Sequence, residues 1–196
     1  KLINDSIPLL EYVDEKLYYG IKTGYNKAFV IDEKTKNKLI SEDQKSWDLI
    51  KPFAQGRDIK RYQPIDIQNF LIFIPKGWTN SKTKKNAWSW FSSEYPAIAN
   101  YLISFEQKAK KRWDQGDYWW ELRACSYYDE FEKPKIMFPD ISLRGNFTFE
   151  EKGGLFTVNT SYIIPGEDHF FLGLLNSRLF TFVYGKISSS YRGGYL

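Results

Sequence analysis

Cysteine, histidine and methionine are almost absent from this chain of 196 residues, which contains one of each. The single cysteine, Cys125, excludes an internal disulfide and a cysteine-rich zinc site, and it favours a reducing, cytoplasmic setting. The single histidine, His169, excludes a metal site made of clustered histidines. The longest apolar runs, such as Phe70 to Pro75, are far shorter than the ~20 residues that a membrane span needs, so no membrane partner is expected.

Recognisable catalytic motifs are also missing. The chain has no phosphate-binding glycine loop, no Gly-x-Ser-x-Gly elbow and no Asn-Pro-Pro-Tyr-type motif of the kind that amino-methyltransferases use to hold a target base. A lone cysteine is usually a small buried apolar residue, so Cys125 and His169 are not expected to form a catalytic pair. The chain begins with Lys1 rather than Met, and we expect it to be a piece of a longer cytoplasmic protein without a signal peptide.

The composition that remains is that of a folded domain rich in aromatic residues. Hydrophobic residues make up 42% of the chain, charged residues 27% and aromatic residues 18%. A chain of this length suits one domain, and we expect residues 1–196 to form a single domain. The serine and glycine content of residues 186–196 predicts a flexible tail.

Positive charge is concentrated in one part of the chain. Residues 51–90 carry eight Lys and Arg against only two acidic residues, Asp58 and Asp66, while the whole chain has a net charge of +4. Concentrated positive charge is typical of a protein that binds a polyanion, and a solvated lysine-rich loop is the alternative.

The pattern of apolar residues predicts an α+β fold with a mixed, mainly antiparallel twisted sheet, hairpins and about three packed helices. One hairpin is expected to join 17–22 to 28–31, and another to join 147–149 to 155–158. Further strands are expected at 70–75, 135–138 and 162–164. Three helices are expected. The first would begin at Ser41 and end at Pro52, the second would begin at Pro96, and the third would begin at Asp168 and run to Phe182.

Three residues match a pattern found in many metal-dependent nucleases. Asp140 follows a proline, and nine residues separate it from the segment Glu150-Glu151-Lys152, so two carboxylates could hold Mg²⁺ while the lysine orients water. However, Lys152 runs directly into Gly153 and Gly154, which predict a turn rather than the rigid strand that a nuclease uses. A strand end followed by a solvated turn is the simpler interpretation.

Two short segments combine groups that commonly contact DNA. Residues 22–26, Lys-Thr-Gly-Tyr-Asn, place a cation, a hydroxyl and an amide on one loop, and Gly56-Arg57-Asp58 places an arginine beside an acid that could orient it. An ordinary turn and a surface ion pair are the alternatives.

These segments carry a resemblance to a known family. The chain resembles the TaqI-like C-terminal specificity domain, the target recognition domain of adenine-specific DNA methyltransferases of type IIG restriction–modification systems. The resemblance extends over nearly the whole chain and rests on the following segments: Tyr18-Tyr19-Gly20-Ile21-Lys22-Thr23-Gly24-Tyr25-Asn26-Lys27-Ala28-Phe29-Val30-Ile31, Ile50-Lys51-Pro52-Phe53, Gly56-Arg57-Asp58-Ile59-Lys60-Arg61-Tyr62, Tyr95-Pro96-Ala97-Ile98, Trp119-Trp120-Glu121-Leu122-Arg123, Lys133-Pro134-Lys135-Ile136, Pro139-Asp140-Ile141-Ser142 and Leu174-Leu175-Asn176-Ser177.

The resemblance implies a module that reads double-stranded DNA and has no catalytic residue or cofactor of its own. A covalently linked upstream domain would bind S-adenosylmethionine and methylate an adenine flipped out of the duplex. It also implies that Asp140 lies at a structural strand end. The recognised DNA sequence, the oligomeric state and any DNA cleavage by the parent protein stay open.

Candidate DNA-binding residues follow from charge, loop position and the resemblance together. They are Lys22, Thr23, Tyr25, Asn26, Arg57, Lys60, Arg61, Lys76, Lys82, Lys84, Lys85, Arg123 and Arg144. Five aromatic residues in or beside the basic loops are expected near DNA as well: Tyr25, Trp78, Trp88, Trp90 and Trp120. Two other functions stay open, a nuclease that uses Asp140, Glu150 and Lys152 and a protein–protein interaction module of a restriction complex.

Overall fold

The computed structural model describes residues 6–187, 190–191 and 194–195, and these residues divide into two compact units. The first unit takes its residues from Lys1–Ile21, Ala54–Asp66 and Tyr127–Leu196, and the second from Lys22–Phe53 and Ile67–Ser126. Each unit is therefore built from segments that are not contiguous in the sequence. The expectation of a single domain stays a prediction.

The described residues contain nine α-helices, most of them short, and ten strands. The helices are α1 (Leu9–Tyr12), α2 (Asn26–Phe29), α3 (Glu33–Glu42), α4 (Trp78–Lys82), α5 (Ala87–Glu94), α6 (Pro96–Ile103), α7 (Glu106–Ala109), α8 (His169–Leu175) and α9 (Arg178–Ile187). The strands are β1 (Tyr18–Tyr19), β2 (Val30–Asp32), β3 (Ile50–Ala54), β4 (Asn69–Ile72), β5 (Lys135–Pro139), β6 (Thr148–Glu150), β7 (Phe156–Thr157), β8 (Ser161–Pro165), β9 (Ser190–Tyr191) and β10 (Gly194–Tyr195). Three 3-10 helices are Gln44–Leu49, Gly56–Asp58 and Tyr128–Glu132.

The first unit is organised around an antiparallel sheet in the order β1-β8-β5-β6. Ile163 of β8 lies opposite Tyr18 on one side and Met137 on the other, and Ile136 lies opposite Phe149. Helix α8 packs its apolar face on this sheet, in a core made of Ile136, Phe147, Ile164, Phe171, Leu172 and Leu175. The sheet and helix thereby fix the position of the loop that follows β5.

The second unit has an antiparallel sheet in the order β2-β4-β3, with Leu71 of β4 opposite both Val30 and Lys51. Helices α3 to α7 accompany it, and α6 begins with Pro96 in its first turn, as the sequence predicts. Eight aromatic residues of this unit form one packed cluster. Its members are Trp78, Trp88, Trp90, Phe91, Tyr95, Tyr118, Trp119 and Trp120.

The predicted fold class is confirmed, since the chain combines helices with two mainly antiparallel sheets. The strands predicted at 70–75, 135–138 and 162–164 are also confirmed as β4, β5 and β8. The number of helices is larger than the predicted three, because short helical turns fill segments that the sequence indicates as loops.

Both predicted hairpins are wrong. Strand β1 pairs with β8 and β2 pairs with β4, while residues 26–29 between them are helical. In the second predicted hairpin, β6 pairs with β5, and Val158 beside β7 donates its N–H to the carbonyl of Ala54 at 3.2 Å. An alternating apolar pattern suits any antiparallel partner, and here the partners are distant in sequence.

Two predicted helices also differ from the structure. No α-helix begins at Ser41, because that residue lies in the last turn of α3, which is capped by Asp32 and ends at Glu42. Pro52, the expected end of the helix, lies in a strand opposite Phe70. The helix from Asp168 has the predicted cap, with the Phe171 N–H donating to Asp168 Oδ1 at 2.7 Å, but it ends at Leu175 and α9 follows.

The predicted flexible tail, 186–196, lies partly outside the described residues. Of that segment, β9 and β10 form an antiparallel pair.

Candidate nucleic-acid interface

In the second unit, the loop of residues 22–26 is held by its own threonine. Thr23 is buried, its hydroxyl donates to Asn26 Oδ1 at 2.5 Å, and it accepts the Tyr25 N–H at 3.1 Å. Gly24 has a φ of +68°, and a Cβ there would lie 2.9 Å from the Asp114 Cβ. The loop therefore leaves Lys22 and Asn26 exposed, while Thr23 sets its conformation.

Arg112 fixes this loop to the rest of the unit. Its buried guanidinium donates to the carbonyl oxygens of Thr23 and Glu121, and to that of Trp119 at 2.9 Å. It also lies 4.2 Å from the ring centroid of Phe29. Arg112 is thus a structural residue, which the sequence pattern, a run of basic residues after a helix, does not reveal.

Glu121 fixes the basic loop of residues 76–86 in a similar way. Its buried carboxylate accepts backbone N–H groups from Gly77 at 3.2 Å, Thr79 at 2.9 Å and Asp117 at 2.8 Å. The Trp120 indole N–H donates to the Thr79 hydroxyl at 3.1 Å. The segment Trp119 to Leu122, singled out in the sequence, therefore positions the lysine-bearing loop from inside the unit.

The candidate cations of the second unit differ in their surroundings. Lys76 lies 3.6 Å from Asp117 and Arg123 lies 3.1 Å from Asp114, so both are engaged in ion pairs at the surface. Lys82 lies 5.9 Å from the Trp78 ring. Lys84 and Lys85 are exposed, and no acidic partner occurs for them among the described residues. Both are therefore available to an anionic ligand.

In the first unit, Gly56-Arg57-Asp58 forms a short turn that presents the arginine. The Asp58 carboxylate accepts the backbone N–H of Gln55 at 2.8 Å, and a Cβ on Gly56 would lie 2.3 Å from the carbonyl oxygen of Thr160. The Arg57 side chain is 76% exposed, with Nε 3.9 Å from Asp58 Oδ1. Asp58 therefore holds the backbone more than the guanidinium, and Gly56 allows close packing.

Arg57, Lys60, Arg61 and Arg144 line two adjoining concavities of this unit. The larger one, of about 810 Å³, is lined by Lys60, Arg61 and Arg144 together with exposed Leu143 and Tyr62. The second, of about 430 Å³, contains Arg57 and Lys60 and shares Lys60, Ile141 and Asn146 with the first. Four cations that were predicted separately from the sequence are thereby brought together, with Asp140 as an acidic residue in the second concavity.

Two segments that carry these cations are tied to the sheet and to α8. Tyr62, with a φ of +56°, donates its N–H to the Phe147 carbonyl at 3.1 Å, and Thr148 Oγ1 donates to the Gln63 carbonyl at 2.7 Å. The buried Asn176 amide accepts from the Phe147 N–H at 3.1 Å and donates to its carbonyl at 2.9 Å. These contacts position the loop containing Arg144 relative to Lys60 and Arg61.

Most of the aromatic residues expected near DNA belong to the packed cluster of the second unit instead. Trp120 is 4% exposed and stacks on Tyr118 at 4.6 Å, and Trp88 lies 4.9 Å from it. Trp78 and Trp90 are half-buried and pack on each other. The tryptophan that the sequence interpretation passed over, Trp113, is fully exposed.

Two of the three residues of the nuclease pattern, Glu150 and Lys152, take part in local structural contacts, and the backbone N–H of the third, Asp140, donates to the Thr160 carbonyl at 2.9 Å. Glu150 accepts from Lys135 Nζ at 2.6 Å and from the backbone N–H of Lys152 at 3.0 Å, and Lys152 lies on an exposed turn. No cluster of three His, Cys, Asp or Glu side chains that could hold a metal occurs in the described part of the chain. No described helix is long and apolar enough to cross a membrane.

Comparison with known proteins agrees with the sequence resemblance. The family model of the TaqI-like C-terminal specificity domain matches residues 51–196. The chain is 27% identical over 181 residues to the type II methyltransferase M.BanIII of Aneurinibacillus aneurinilyticus. This match covers 84% of this chain and 29% of that protein. The chain is 26% identical over 189 residues to the type II methyltransferase M.MjaIV of Methanocaldococcus jannaschii, covering 91% of this chain and 59% of that protein. The chain thus spans less than two thirds of either relative.

A solved structure shares the fold. The type IIL restriction-modification enzyme MmeI, determined in complex with DNA, superposes with a TM-score of 0.64 at 16% identity. The match covers 92% of this chain and 23% of MmeI.

Proposed function

The chain belongs to the family of TaqI-like C-terminal specificity domains, and on that basis we propose that it recognises double-stranded DNA within a restriction–modification enzyme. The observation that carries the proposal is the convergence of Arg57, Lys60, Arg61 and Arg144 on two adjoining concavities of one unit. Guanidinium groups can bind phosphates or guanine edges with two hydrogen bonds each, and such residues supply both affinity and base discrimination.

The chemistry of methylation belongs to another part of the parent protein in this proposal. An upstream, covalently linked domain binds S-adenosylmethionine and methylates adenine, while this chain holds the duplex and selects the site. The names of the two relatives, both type II methyltransferases, and the part of each that this chain does not cover support a methyltransferase part in the parent protein. The parent protein acts in the cytoplasm, where its DNA substrate is found.

The cations of the second unit serve the phosphate backbone. Lys84 and Lys85 are exposed, and we assign them, with Lys22, Lys76, Lys82 and Arg123, to phosphate contacts. Tyr25 and Asn26 present polar groups from the loop of residues 22–26. Thr23 is buried, so its part in recognition is to set the conformation of that loop.

The proposal is tested by duplex binding of the 196-residue chain and of two variants. Replacing Arg57 and Arg144 together by alanine is expected to weaken binding at low salt by roughly 30- to 1,000-fold, because each substitution removes a charge-assisted contact worth ~1–2 kcal/mol. Lys34→Ala is the matched control, since Lys34 is an exposed cation on α3 and not one of the candidates. Affinity is measured by fluorescence anisotropy with a mixed-sequence duplex.

The control variant is expected to bind as the unsubstituted chain does. Equal affinities for the unsubstituted chain and the Arg57 and Arg144 double variant would contradict the role assigned to the concavities. Absence of binding by all three proteins at low salt would contradict the proposed function itself.

A further inference from the structure

Trp113, in the second unit, is the one residue with a fully exposed large hydrophobic side chain among the described residues. Its exposure is 100%, whereas Trp119 and Trp120 nearby in sequence are 8% and 4% exposed. Single exposed apolar residues are common on protein surfaces, so exposure alone assigns no role. The backbone and the charges around Trp113 do.

The backbone on both sides of Trp113 is held in place. Arg112, which precedes it, is buried and hydrogen-bonded to three carbonyl groups. The N–H of Gln115 donates to the Trp113 carbonyl at 3.1 Å, and Gln115 pairs with Leu122, whose N–H donates to the Ile74 carbonyl at 2.7 Å. A side chain presented from a fixed backbone loses little conformational entropy when it binds a partner.

The surroundings of Trp113 favour an anionic partner. Lys108, Lys110 and Lys111 precede it and are all exposed, and Lys110 pairs with Glu106 at 2.7 Å. The nearest acid in sequence, Asp114, is bound by Arg123 at 3.1 Å. Exposed cations that precede an exposed tryptophan in the sequence match a ligand that offers phosphates beside flat, stackable groups.

The Trp113 turn also adjoins a candidate DNA-binding loop. Arg112 binds the carbonyl of Thr23, and a Cβ on Gly24 would lie 2.9 Å from the Asp114 Cβ. The turn and the loop of residues 22–26 are thus packed together, and a ligand that contacts Lys22 or Asn26 comes close to the same surface.

We propose that Trp113 stacks its indole on a base of bound DNA, while Lys110 and Lys111 contact the flanking phosphates. This inference rests on the proposed function. It adds Trp113 to the DNA-contacting residues, with the role of distinguishing a base step that is partly unstacked from one that is intact. Base faces are covered inside a stacked duplex, so the indole reaches one only where a step is partly unstacked, as with the apolar side chains that other DNA-binding proteins insert.

The test compares duplex binding of the unsubstituted chain with that of three variants. Trp113→Ala is expected to lower affinity about tenfold, the magnitude of losing one base–aromatic stack, and Trp113→Phe to lower it less because a ring remains. The dependence of affinity on salt is expected to stay the same, because no charge is removed. Trp47→Ala is the matched control, since Trp47 is 63% exposed and lies in a 3-10 helix of the same unit.

Tryptophan fluorescence gives a second measurement. Duplex DNA is expected to quench part of the emission of the unsubstituted chain and of Trp47→Ala, and less of the emission of Trp113→Phe, because the stacked indole is the one quenched.

Unchanged affinity of Trp113→Ala, or an equal loss in Trp47→Ala, would overturn the inference while leaving the proposed function intact. Failure of the unsubstituted chain to bind duplex at low salt would refute the proposed function, and the inference with it. The two failures are therefore distinguishable from the behaviour of the unsubstituted chain alone.

Discussion

Lys135 shows how the structure gives a residue a role that its chemical type does not indicate. Its side chain is fully buried at the start of β5, and Nζ donates to Glu150 Oε2 at 2.6 Å and to the carbonyls of Phe131 at 2.7 Å and Lys133 at 3.1 Å. Burial lowers the pKa of Lys135, and Glu150 opposes that change. Glu150 is therefore the counter-charge of a buried ammonium group, and this role accounts for one acid of the nuclease pattern.

Replacing Glu150 by glutamine is expected to destabilise the protein. The buried ammonium keeps its two carbonyl acceptors but loses its counter-charge, so the free energy of unfolding at neutral pH is expected to fall by about 2 kcal/mol. Glu151→Gln, on an exposed neighbouring residue, is expected to change it by less than ~0.5 kcal/mol. Both values are measured by urea unfolding.

The cost of Glu150→Gln is also expected to depend on pH. The folded-state pKa of Lys135 is below its ordinary value of 10.5, so between the two the unfolded chain binds more protons and stability rises with pH. Without Glu150 that pKa falls further, and the difference between variant and unsubstituted chain shrinks in the alkaline range. A difference that grows with pH would contradict the assignment.

Glycines determine how closely the elements of the first unit can approach one another. The Gly20 N–H donates to the Ser161 carbonyl at 2.9 Å, and a Cβ there would lie 1.9 Å from the carbonyl oxygen of Val158. Gly173, in the middle of α8, has open space around its Cβ position. The first glycine is required by packing and the second is not, although both are ordinary glycines in the sequence.

Opposite effects are expected from the two alanine substitutions. Gly20→Ala is expected to lower the free energy of unfolding by about 3 kcal/mol, because β1 and the chain near Val158 must move apart. Gly173→Ala is expected to raise it by ~0.5–1 kcal/mol, because alanine loses less entropy in a helix. Thermal unfolding of both variants checks the pair, and a loss in both would contradict this account of Gly20.

Over the whole molecule, the positive charge is concentrated in one segment of the sequence although the net charge is small. The net charge is only +4, yet residues 51–90 hold eight cations and two acids. Three of these cations, Arg57, Lys60 and Arg61, belong to the first unit, and the other five, Lys51, Lys76, Lys82, Lys84 and Lys85, belong to the second. Arg144, from a distant segment, joins the first group.

The duplex affinity of the whole chain is expected to depend strongly on salt. If four cations neutralise phosphates, affinity falls roughly 100-fold between about 50 and 200 mM salt, because counterions are released on binding. Substituting Lys84 and Lys85 by alanine is expected to reduce the slope of log affinity against log salt by about one per contact removed. Slopes that match those of Lys34→Ala would show that neither lysine contacts DNA.

The sequence by itself determined the features that depend on neighbouring residues. The apolar runs of β4, β5 and β8, the proline that begins α6 and the aspartate that caps α8 all act through local geometry, and the structure has each of them. Segment order along the chain was enough to indicate the family as well. Alternating strands could not indicate their partners, so both predicted hairpins failed.

Only the tertiary structure decided which side chains meet and which face solvent. It buried Thr23 and Arg112, placed the three tryptophans of the basic region in a packed cluster, and left Trp113 exposed. It also brought Arg144 to Arg57, Lys60 and Arg61, which lie about 80 residues earlier. Burial and long-range proximity arise from contacts between distant segments, and no local pattern of residues encodes them.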